Sequence, residues 1–313
     1  MRSVFFWEAG GLSLTRANPY AGLLAQAMAQ LGVEVVAGHH GRDLNEDWLL
    51  ENRGHVDVLH LNWPHYMYDA PDLESNVSRC ADVLGHLSLA RSLGYRVVWT
   101  VHNLYPHDRT HFHLHRLARL AICSLATALI VHCKQARRLV CQHFHRTEGV
   151  FTIPHGHFMD AYPNTLSGTE ARQRLGIAPD SFVYLFFGNL RPYKGVEDLL
   201  DAFCGLKGKD LRLLLAVKER DPYSTALIER ARQLDPRILV HTAHFFPNED
   251  FQLYLNAADV AVLPFREVLT SGSAITAMSF GRPVIAPATG CLPELLDEGV
   301  GIAYERGQAD GLG

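Results

Sequence analysis

The sequence predicts an α/β protein in which each half of the chain folds around its own doubly wound parallel sheet. Two observations support this fold class. Short apolar runs alternate with helical patterns, as in repeated βα units, and the whole series occurs twice. The chain also has 313 residues, which exceeds the ~100–200 residues usual for one domain. We therefore expect two domains, 1–162 and 163–313, facing each other across a cleft.

The apolar runs predict six strands in each domain. Those of the first domain are Ser3–Trp7, Glu34–Ala37, Val56–Leu61, Arg96–Val101, Ala128–His132 and Val150–Ile153. Those of the second are Phe182–Phe187, Arg212–Ala216, Ile238–Thr242, Val260–Leu263, Pro283–Ile285 and Gly301–Tyr304. The join "IPHGHFMDAYPNTLSGTEARQRLG" is rich in Pro, Gly, Asn and Ser, as linkers are. Each series of strands is Rossmann-like.

Composition and targeting signals indicate a folded protein of the cytoplasm. Hydrophobic residues make up 48% and charged residues 20% of the chain, which excludes disordered and fibrous classes. No apolar stretch approaches the ~18–20 residues of a membrane span, and "MRSVFFWEAGG" lacks a secretory core. The six cysteines contain no C-x-x-C pair, so we expect packing thiols. No nucleic-acid partner is expected.

The charge of the chain is unevenly distributed. The net charge is −4, yet the segment from His107 to Arg146 has Asp108 as its sole acid. Its basic residues are Arg109, Arg116, Arg119, Lys134, Arg137, Arg138 and Arg146. We expect a cationic surface, which could lie on the anionic inner face of the cell membrane or near a lipid pyrophosphate. It could equally be a solvated helix face.

Polar residues follow several of the predicted strands. In doubly wound sheets, ligands bind beyond the carboxyl ends of the strands. In the first domain these ends carry Glu8–Gly11, Asn62–Pro64 and His102–Asn103. In the second they carry Gly188–Gly195, Lys218–Arg220 and Phe265–Gly272. We expect the two sets to line the cleft.

The stretch "TSGSAITAMSF" predicts a helix whose first turn binds an anion. Thr270 or Ser271 can cap it, and Gly272 lets a ligand approach the first amides. Arg191 and Lys194 follow the first strand of the same domain and can supply positive charge. Taken singly, a capped helix start is usually structural, and a lysine near a strand end is usually a solvated surface charge. Their coincidence at strand ends of one domain predicts a diphosphate site.

Several stretches resemble the GT-B fold nucleotide-sugar glycosyltransferases of the retaining glycosyl transferases group 1, or family 4, type. They are "NPYAGLLAQAMAQLGVEVV", "VDVLHLNWP", "VVWTVHNLYPHD", "IPHG", "FVYLFFGNLRPYKGVEDLLDAF" and "LPFREVLTSGSAITAMSFGRPVIAPATGCLPEL". The similarity covers nearly the whole chain, and Phe187–Gly195 is its most specific part. It implies a hexosyltransferase that moves a hexose-type sugar from a nucleoside-diphosphate sugar to a glycan or lipid-linked saccharide.

The resemblance also implies roles for particular residues. The C-terminal domain would hold the donor and the N-terminal domain the acceptor, with His102 and Glu267 as catalytic residues beside the sugar. The donor diphosphate would contact Gly188, Arg191, Lys194, Thr270, Ser271 and Gly272. The acceptor side would include Gly10, Gly11, Trp63 and Asn103. Transfer with retention, and no cofactor, are implied as well.

The sequence departs from the family pattern at one position. The family commonly has two glutamates eight positions apart, the second directly before an Ala-Met pair. Here Thr276 precedes that pair, and Glu267 lies nine residues upstream. We expect Thr276 to make one bond to the ribose where a carboxylate accepts two. The departure leaves two alternatives open: an inactive nucleotide-sugar-binding or accessory protein, and a nucleotide-sugar epimerase of the same fold.

Metal chemistry finds little support in the sequence. No D-x-D occurs, so we expect transfer without a divalent metal. The run "HFHLH" places His111 and His115 at helical i, i+4 spacing, as zinc hydrolases do, but H-E-x-x-H is absent. We expect partly exposed helix histidines. The chain ends after "GIAYERGQADGLG", where the family continues, so we expect either a fragment or a cleft held by fewer contacts.

Overall fold

The computed structural model describes residues 1–6, 11–14, 18–107, 110–297, 299–307 and 312. The chain divides into two compact units, Met1–Gly156 and His157–Gly313. This division lies six residues before the predicted boundary at 162/163. The shift has a packing reason, because Phe158 is 2% exposed and its amide donates to Ser279 Oγ over 2.9 Å. Tyr162 packs against the C-terminal core as well.

The N-terminal unit contains one six-stranded parallel sheet. Its strands are β1 (Arg2–Phe6), β2 (Glu34–Gly38), β3 (Val58–Leu61), β4 (Arg96–Thr100), β5 (Ala128–Val131) and β6 (Val150–Thr152), in the order β2-β1-β3-β4-β5-β6. Its helices are α1 (Tyr20–Gln30), α2 (His40–Asp43), α3 (Glu46–Glu51), α4 (Leu73–Ser92), α5 (Phe112–Leu125) and α6 (Lys134–Phe144), with a 3₁₀ turn at Pro64–Met67. Strand β3 is buried at every residue, as expected where helices cover both faces of a parallel sheet.

The C-terminal unit repeats the architecture. Its strands are β7 (Phe182–Asn189), β8 (Leu211–Lys218), β9 (Ile238–Ala243), β10 (Val260–Val262), β11 (Val284–Pro287) and β12 (Gly301–Tyr304). Its helices are α7 (Gly168–Leu175), α8 (Val196–Gly205), α9 (Pro222–Leu234), α10 (Phe251–Ala257), α11 (Gly272–Ser279) and α12 (Leu292–Leu295), with 3₁₀ turns at Pro192–Lys194 and Asn248–Asp250. Each pair of neighbouring strands in this sheet is parallel.

The strand order places the topological switch point of the C-terminal sheet between β7 and β10. The order is β12-β11-β10-β7-β8-β9, so the chain winds outward on one side of β7 and then returns to its other side. Loops that follow two such neighbouring strands diverge to opposite faces of the sheet and leave a crevice, which is where ligands bind. Phe186 in β7 and Phe265 beyond β10 belong to the core beneath this crevice.

The predicted fold class and strands are confirmed. Each of the twelve predicted strands occurs, although its ends shift by up to two residues; Trp7, the predicted end of the first strand, lies outside the described residues. Within the described residues, no helix has the length and apolar character that crossing a membrane requires.

Candidate functional site

The loops that follow β7 and β10 meet at the switch point of the C-terminal sheet. The Arg266 amide donates to the Tyr193 carbonyl over 2.7 Å. Gly195 has φ +67°, and a Cβ there would collide with the Pro264 carbonyl oxygen. Glycine alone therefore fits this close backbone approach. The two predicted phosphate-binding stretches, 188–195 and 265–272, lie side by side.

Lys194 lies where these two loops meet. Its Nζ is 4.4 Å from the centre of the Phe265 ring and 5.5 Å from that of Tyr193. Burial lowers the pKa of Lys194 to about 8, and no carboxylate among the described residues raises it again. A buried ammonium without an acid is costly unless an anion approaches it. Lys194 is therefore suited to a phosphate.

Arg191 has a partner within the protein. Its Nη1 lies 2.6 Å from Asp221 Oδ2, and its side chain is 46% exposed. Asp221 also caps α9, because its carboxylate accepts from the Ser224 amide over 2.9 Å. A guanidinium has five N–H donors, so this pair leaves donors that a phosphate could use. A ligand at Arg191 would share it with Asp221.

The first turn of α11 has the predicted cap. Ser271, not Thr270, is the capping residue, and its Oγ accepts from the Ala274 amide over 3.1 Å. Gly272 is the first residue of the helix. The positive end of the helix dipole therefore lies at Thr270–Gly272, which favours an anion. Gly188, within β7, has φ +117°, a conformation that favours glycine.

Glu267 and Thr276 lie near this turn but differ in exposure. Glu267 is exposed, and its amide lies 3.5 Å from the Tyr193 carbonyl. Thr276 is 4% exposed, and its hydroxyl donates to the Gly272 carbonyl over 2.8 Å. Because its proton is used within the helix, Thr276 could offer a ribose only its oxygen lone pairs. The roles of both residues remain predictions.

His102 is buried at the carboxyl end of the N-terminal sheet. Its ring stacks on Trp63, with centroids 4.2 Å apart, and its Nε2 lies 3.0 Å from Asn62 Oδ1. Burial, and secondarily the nearby His132, hold the pKa of His102 well below its usual value. His102 is therefore a neutral imidazole at pH 7, with its Nε2 donating to Asn62 in this arrangement.

The other predicted acceptor-side residues fall into three situations. Trp63 packs on His102 as described. Gly11 has φ +62°, and the Asn103 side-chain nitrogen lies 3.5 Å from His107 Nε2. Gly10 lies outside the described residues. Of the residues that were selected because they follow strand ends of the N-terminal unit, Trp63 and His102 thus lie in contact.

Three aromatic side chains near His102 were missed by the sequence reasoning. The ring centroids of Tyr20 and His132 lie 5.0 and 5.2 Å from that of His102. The His155 ring lies 5.1 Å from the rings of both Tyr20 and His132. His132 donates through Nδ1 to the Ile153 carbonyl over 2.9 Å, and burial lowers its pKa to about 4. The rule that ligands bind beyond the carboxyl ends of strands could have found His132 and His155, since they follow β5 and β6.

The cationic segment is less exposed than predicted. Arg119 is 1% exposed and lies over the Trp99 ring, so it cannot belong to a surface. Arg146 donates to four backbone carbonyls and acts as a structural tie. Lys134, Arg137 and Arg138 on α6 remain exposed. Arg109 lies outside the described residues, and the surface patch is therefore narrower than its sequence indicated.

The histidines of "HFHLH" do not form a helical pair. His111 is the N-cap of α5 and has φ +56°, outside the helix, whereas His115 is buried with its Nδ1 3.2 Å from the Tyr68 hydroxyl. The expectation of partly exposed helix histidines is therefore wrong for the buried His115, whereas His111 is partly exposed but precedes the helix. Across the described ranges, no group of three or more His, Cys, Asp or Glu side chains could hold a metal ion.

The C-terminal site can stabilise an anion by three means. Lys194 provides a positive charge that has no carboxylate partner among the described residues, Arg191 provides a charge that is shared with Asp221, and the first turn of α11 provides oriented amides. Such groups stabilise negative charge that develops during a reaction without rearranging. The C-terminal unit can therefore bind a phosphate-bearing ligand at the switch point.

Comparison with known proteins agrees with this geometry. Residues 181–312 match the family described as glycosyl transferases group 1. A GDP-mannose:glycolipid 4-beta-D-mannosyltransferase of Xanthomonas campestris is 32% identical over 233 residues, covering 74% of this chain and 61% of that protein. A D-inositol 3-phosphate glycosyltransferase of Geodermatophilus obscurus is 32% identical over 187 residues, covering 56% and 41%. The chain spans about three-fifths of the length of the mannosyltransferases it matches.

Solved structures share the fold of the chain. Sucrose-phosphate synthase from Thermosynechococcus elongatus superposes with a TM-score of 0.72 at 18% identity, covering 100% of this chain and 88% of that one. The Anabaena protein HepE in complex with UDP-glucose gives 0.69 at 18% identity, covering 99% and 87%. Residues 181–312 are therefore similar to the glycosyl transferases group 1 family, and the chain has the GT-B fold.

Proposed function

We propose that this protein transfers a hexose from a nucleoside-diphosphate sugar to a glycan or a lipid-linked saccharide. The observation that carries the proposal is Lys194, a half-buried lysine against the Phe265 ring, without an acidic partner among the described residues, in the same unit as the capped first turn of α11. Its surroundings favour an anion, and the pyrophosphate of a nucleotide sugar carries one negative charge on each of its two phosphates. The family match of the same unit supports this ligand class.

The chemistry follows from where charge develops. Breaking the bond between the anomeric carbon and its oxygen leaves negative charge on the β-phosphate. Lys194, Arg191 and the amides of the Ser271–Gly272 turn would stabilise that charge. The acceptor hydroxyl bonds to the anomeric carbon, and its proton passes to the leaving phosphate. We propose that the configuration is retained and that no divalent metal is needed, in which case a chelator leaves the rate unchanged.

The N-terminal unit would bind the acceptor. His102, held by Asn62 and Trp63, would contact the transferred sugar as a neutral imidazole, and Glu267 would bind sugar hydroxyls. The relatives named above include a mannosyltransferase that uses GDP-mannose and a glycolipid. We therefore propose GDP-mannose as the first donor to test and a lipid-linked saccharide as the first acceptor.

A thermal-shift panel tests the proposal. GDP-mannose, UDP-glucose and ADP-glucose are compared at one concentration, and at least one should raise the melting temperature, because a ligand that binds only the folded state stabilises it. Release of nucleoside diphosphate on adding an acceptor would then demonstrate transfer. If no nucleotide sugar shifts the melting temperature, the proposal is wrong.

A second candidate is a nucleotide-sugar-binding protein without transferase activity. It is motivated by Thr276, whose hydroxyl proton is donated to Gly272 and which replaces a ribose-binding glutamate of the family. This candidate predicts the same thermal shift as the enzyme but no product. The epimerase alternative predicts a changed sugar without an acceptor.

The binding of nucleoside diphosphate should depend on pH through Lys194. Its pKa of about 8 in the free protein lies below the ordinary lysine value because of burial, so the ammonium loses its proton as the pH rises through 8. Affinity should be constant from pH 6.5 to 7.5 and fall above pH 8 by up to about tenfold per pH unit, as expected for one coupled proton. Calorimetric titrations with GDP and UDP would measure it. Affinity that stays constant to pH 10 would contradict the assignment.

We also propose a peripheral association with anionic membranes through α6. Lys134 and Arg138 are exposed one turn apart on this helix, and each basic residue near such a surface contributes about 1 kcal/mol. Exchanging both for Gln should weaken binding to anionic vesicles about 30-fold, at ~2 kcal/mol in total.

Cosedimentation with anionic and neutral vesicles at low and high salt would measure this effect. A control variant with Lys209 and Arg232 exchanged for Gln removes two exposed charges from the other unit and should bind as the parent does. Equal binding of the parent protein to both kinds of vesicle would refute the proposal.

A further inference from the structure

Arg266 ties the loop after β10 to the start of α8. Its Nε and Nη2 donate to the two carboxylate oxygens of Asp198 over 3.1 and 2.6 Å. Its Nη2 also lies 3.3 Å from Glu197 Oε2, and its Nη1 donates to the Pro192 carbonyl over 3.3 Å. A bidentate guanidinium–carboxylate pair fixes orientation as well as distance. Arg266 therefore has one defined position.

Neighbouring residues hold this arrangement from two further directions. Arg306, just beyond β12, donates through Nη1 to the Arg266 carbonyl over 2.8 Å. The Tyr223 hydroxyl on α9 donates to Glu197 Oε1 over 2.5 Å. The backbone and side chain of Arg266 are thus bound to three other parts of the unit: the 3₁₀ turn that contains Lys194, helix α8 and the segment after β12.

This network acts on the surroundings of Lys194 in two ways. Phe265, next to Arg266 in the chain, is 1% exposed and lies 4.4 Å from the Lys194 ammonium. Asp198 lies beside the backbone of the turn that follows Lys194, since a Cβ on Gly195 would be 3.4 Å from its Oδ2. Arg266 binds both oxygens of that carboxylate. A free carboxylate beside an ammonium would pair with it and compete with a phosphate.

We propose that Arg266 is a positioning residue, which holds Phe265 against Lys194 and occupies Asp198, so that the Lys194 ammonium stays dehydrated and unpaired. The purpose of this arrangement rests on the proposed function, because an unpaired ammonium is what an incoming diphosphate needs. The arrangement itself concerns the free protein and can be measured without a nucleotide.

The competing explanation is an ordinary ion pair at the protein surface. Such pairs contribute little to stability, because water and salt screen them. The chain provides a matched example. Arg230 on α9 pairs with Asp201 on α8, the helix that also carries Asp198, and Arg230 Nη2 lies 2.5 Å from Asp201 Oδ1. Unlike Arg266, Arg230 makes no hydrogen bond or ion pair with the two loops of the site within the described part of the chain. Arg230→Met therefore serves as the control for Arg266→Met.

The pKa of Lys194 is the measurement that separates the two explanations. The chain has five lysines, at 134, 194, 207, 209 and 218, so that trace acetylation followed by mass spectrometry can report each of them against pH. In the parent protein and in Arg230→Met, Lys194 should titrate near its lowered value. In Arg266→Met, its midpoint should rise by at least one pH unit toward that of an ordinary lysine.

A second variant keeps the test decisive if Arg266→Met does not fold. Arg266→Lys retains the charge but cannot form two parallel bonds, and it should raise the Lys194 midpoint in the same direction by a smaller amount. An unchanged midpoint in the Arg266 variants, or an equal rise in Arg230→Met, would overturn the inference. Failure of the parent protein to bind any nucleotide would refute the proposed function and leave this result intact.

Discussion

Replacing Lys194 with Ala is expected to weaken the binding of a nucleoside diphosphate by about 100-fold. A hydrogen bond to a charged group contributes roughly 1.5–3 kcal/mol, and each 1.4 kcal/mol is about a factor of ten in affinity. The upper part of this range applies because the Lys194 ammonium lies 4.4 Å from the centre of the Phe265 ring, in surroundings that lower its pKa and where water screens its charge poorly. Calorimetric titration with GDP and UDP would measure the loss.

Stability should respond differently from affinity in this variant. Burial lowers the pKa of Lys194, which means that the charged form is destabilised in the folded protein relative to the unfolded chain. Lys194→Ala should therefore unfold at the same temperature as the parent protein or at a higher one. The exposed Lys207 of the same unit provides a control, because Lys207→Ala should retain full affinity. Parent-like affinity in Lys194→Ala would contradict the proposed site.

The strands and the loops of the C-terminal site could be predicted from the sequence because they depend on local patterns. Apolar runs of strand length predicted all twelve strands. The residues that follow strand ends included Lys194 and the capped turn at Thr270–Gly272, although the sequence left open whether Thr270 or Ser271 is the cap. Both features depend on residues close together in the chain. The parallel sheet then fixes which strand ends are adjacent.

Contacts between distant residues could not be predicted in this way. Arg266 follows Phe265 in a loop, and nothing in "LPFREV" indicates that its guanidinium binds Asp198, 68 residues away. Arg191 was expected to serve a diphosphate, but its pair with Asp221 depends on the register of β7 and β8. Such pairs are set by tertiary packing, which one sequence does not reveal.

Burial of a charged residue was the largest departure from expectation. Arginine is almost never fully buried without a partner, and the run of basic residues around Arg119 favoured a solvated face. In the structure, α5 instead turns Arg119 toward β4, where its guanidinium carbon lies 5.1 Å from the centre of the Trp99 ring. Its Nη2 lies 3.3 Å from His65 Nδ1.

Arg119→Met is expected to stabilise the N-terminal unit by about 1–3 kcal/mol. Arg119 Nε and Nη1 are buried without a hydrogen-bond partner in the described part of the chain, and its charge has no carboxylate beside it there. Replacing buried ion pairs by apolar residues of similar size is often neutral or stabilises by roughly 1–4 kcal/mol. The loss of the contact with Trp99, about 0.5–2 kcal/mol, reduces the gain here.

Tryptophan fluorescence measures this effect in the right unit, since all four tryptophans, at 7, 48, 63 and 99, lie in the N-terminal unit. The midpoint of thermal unfolding should rise by about 2–4 °C per kcal/mol for a unit of this size. Arg116 is exposed on the same helix, so Arg116→Met removes the same charge from a solvated position. It should change the free energy of unfolding by less than about 0.5 kcal/mol. A lower midpoint in Arg119→Met would mean that the guanidinium stabilises the fold through Trp99 and His65 by more than its burial costs.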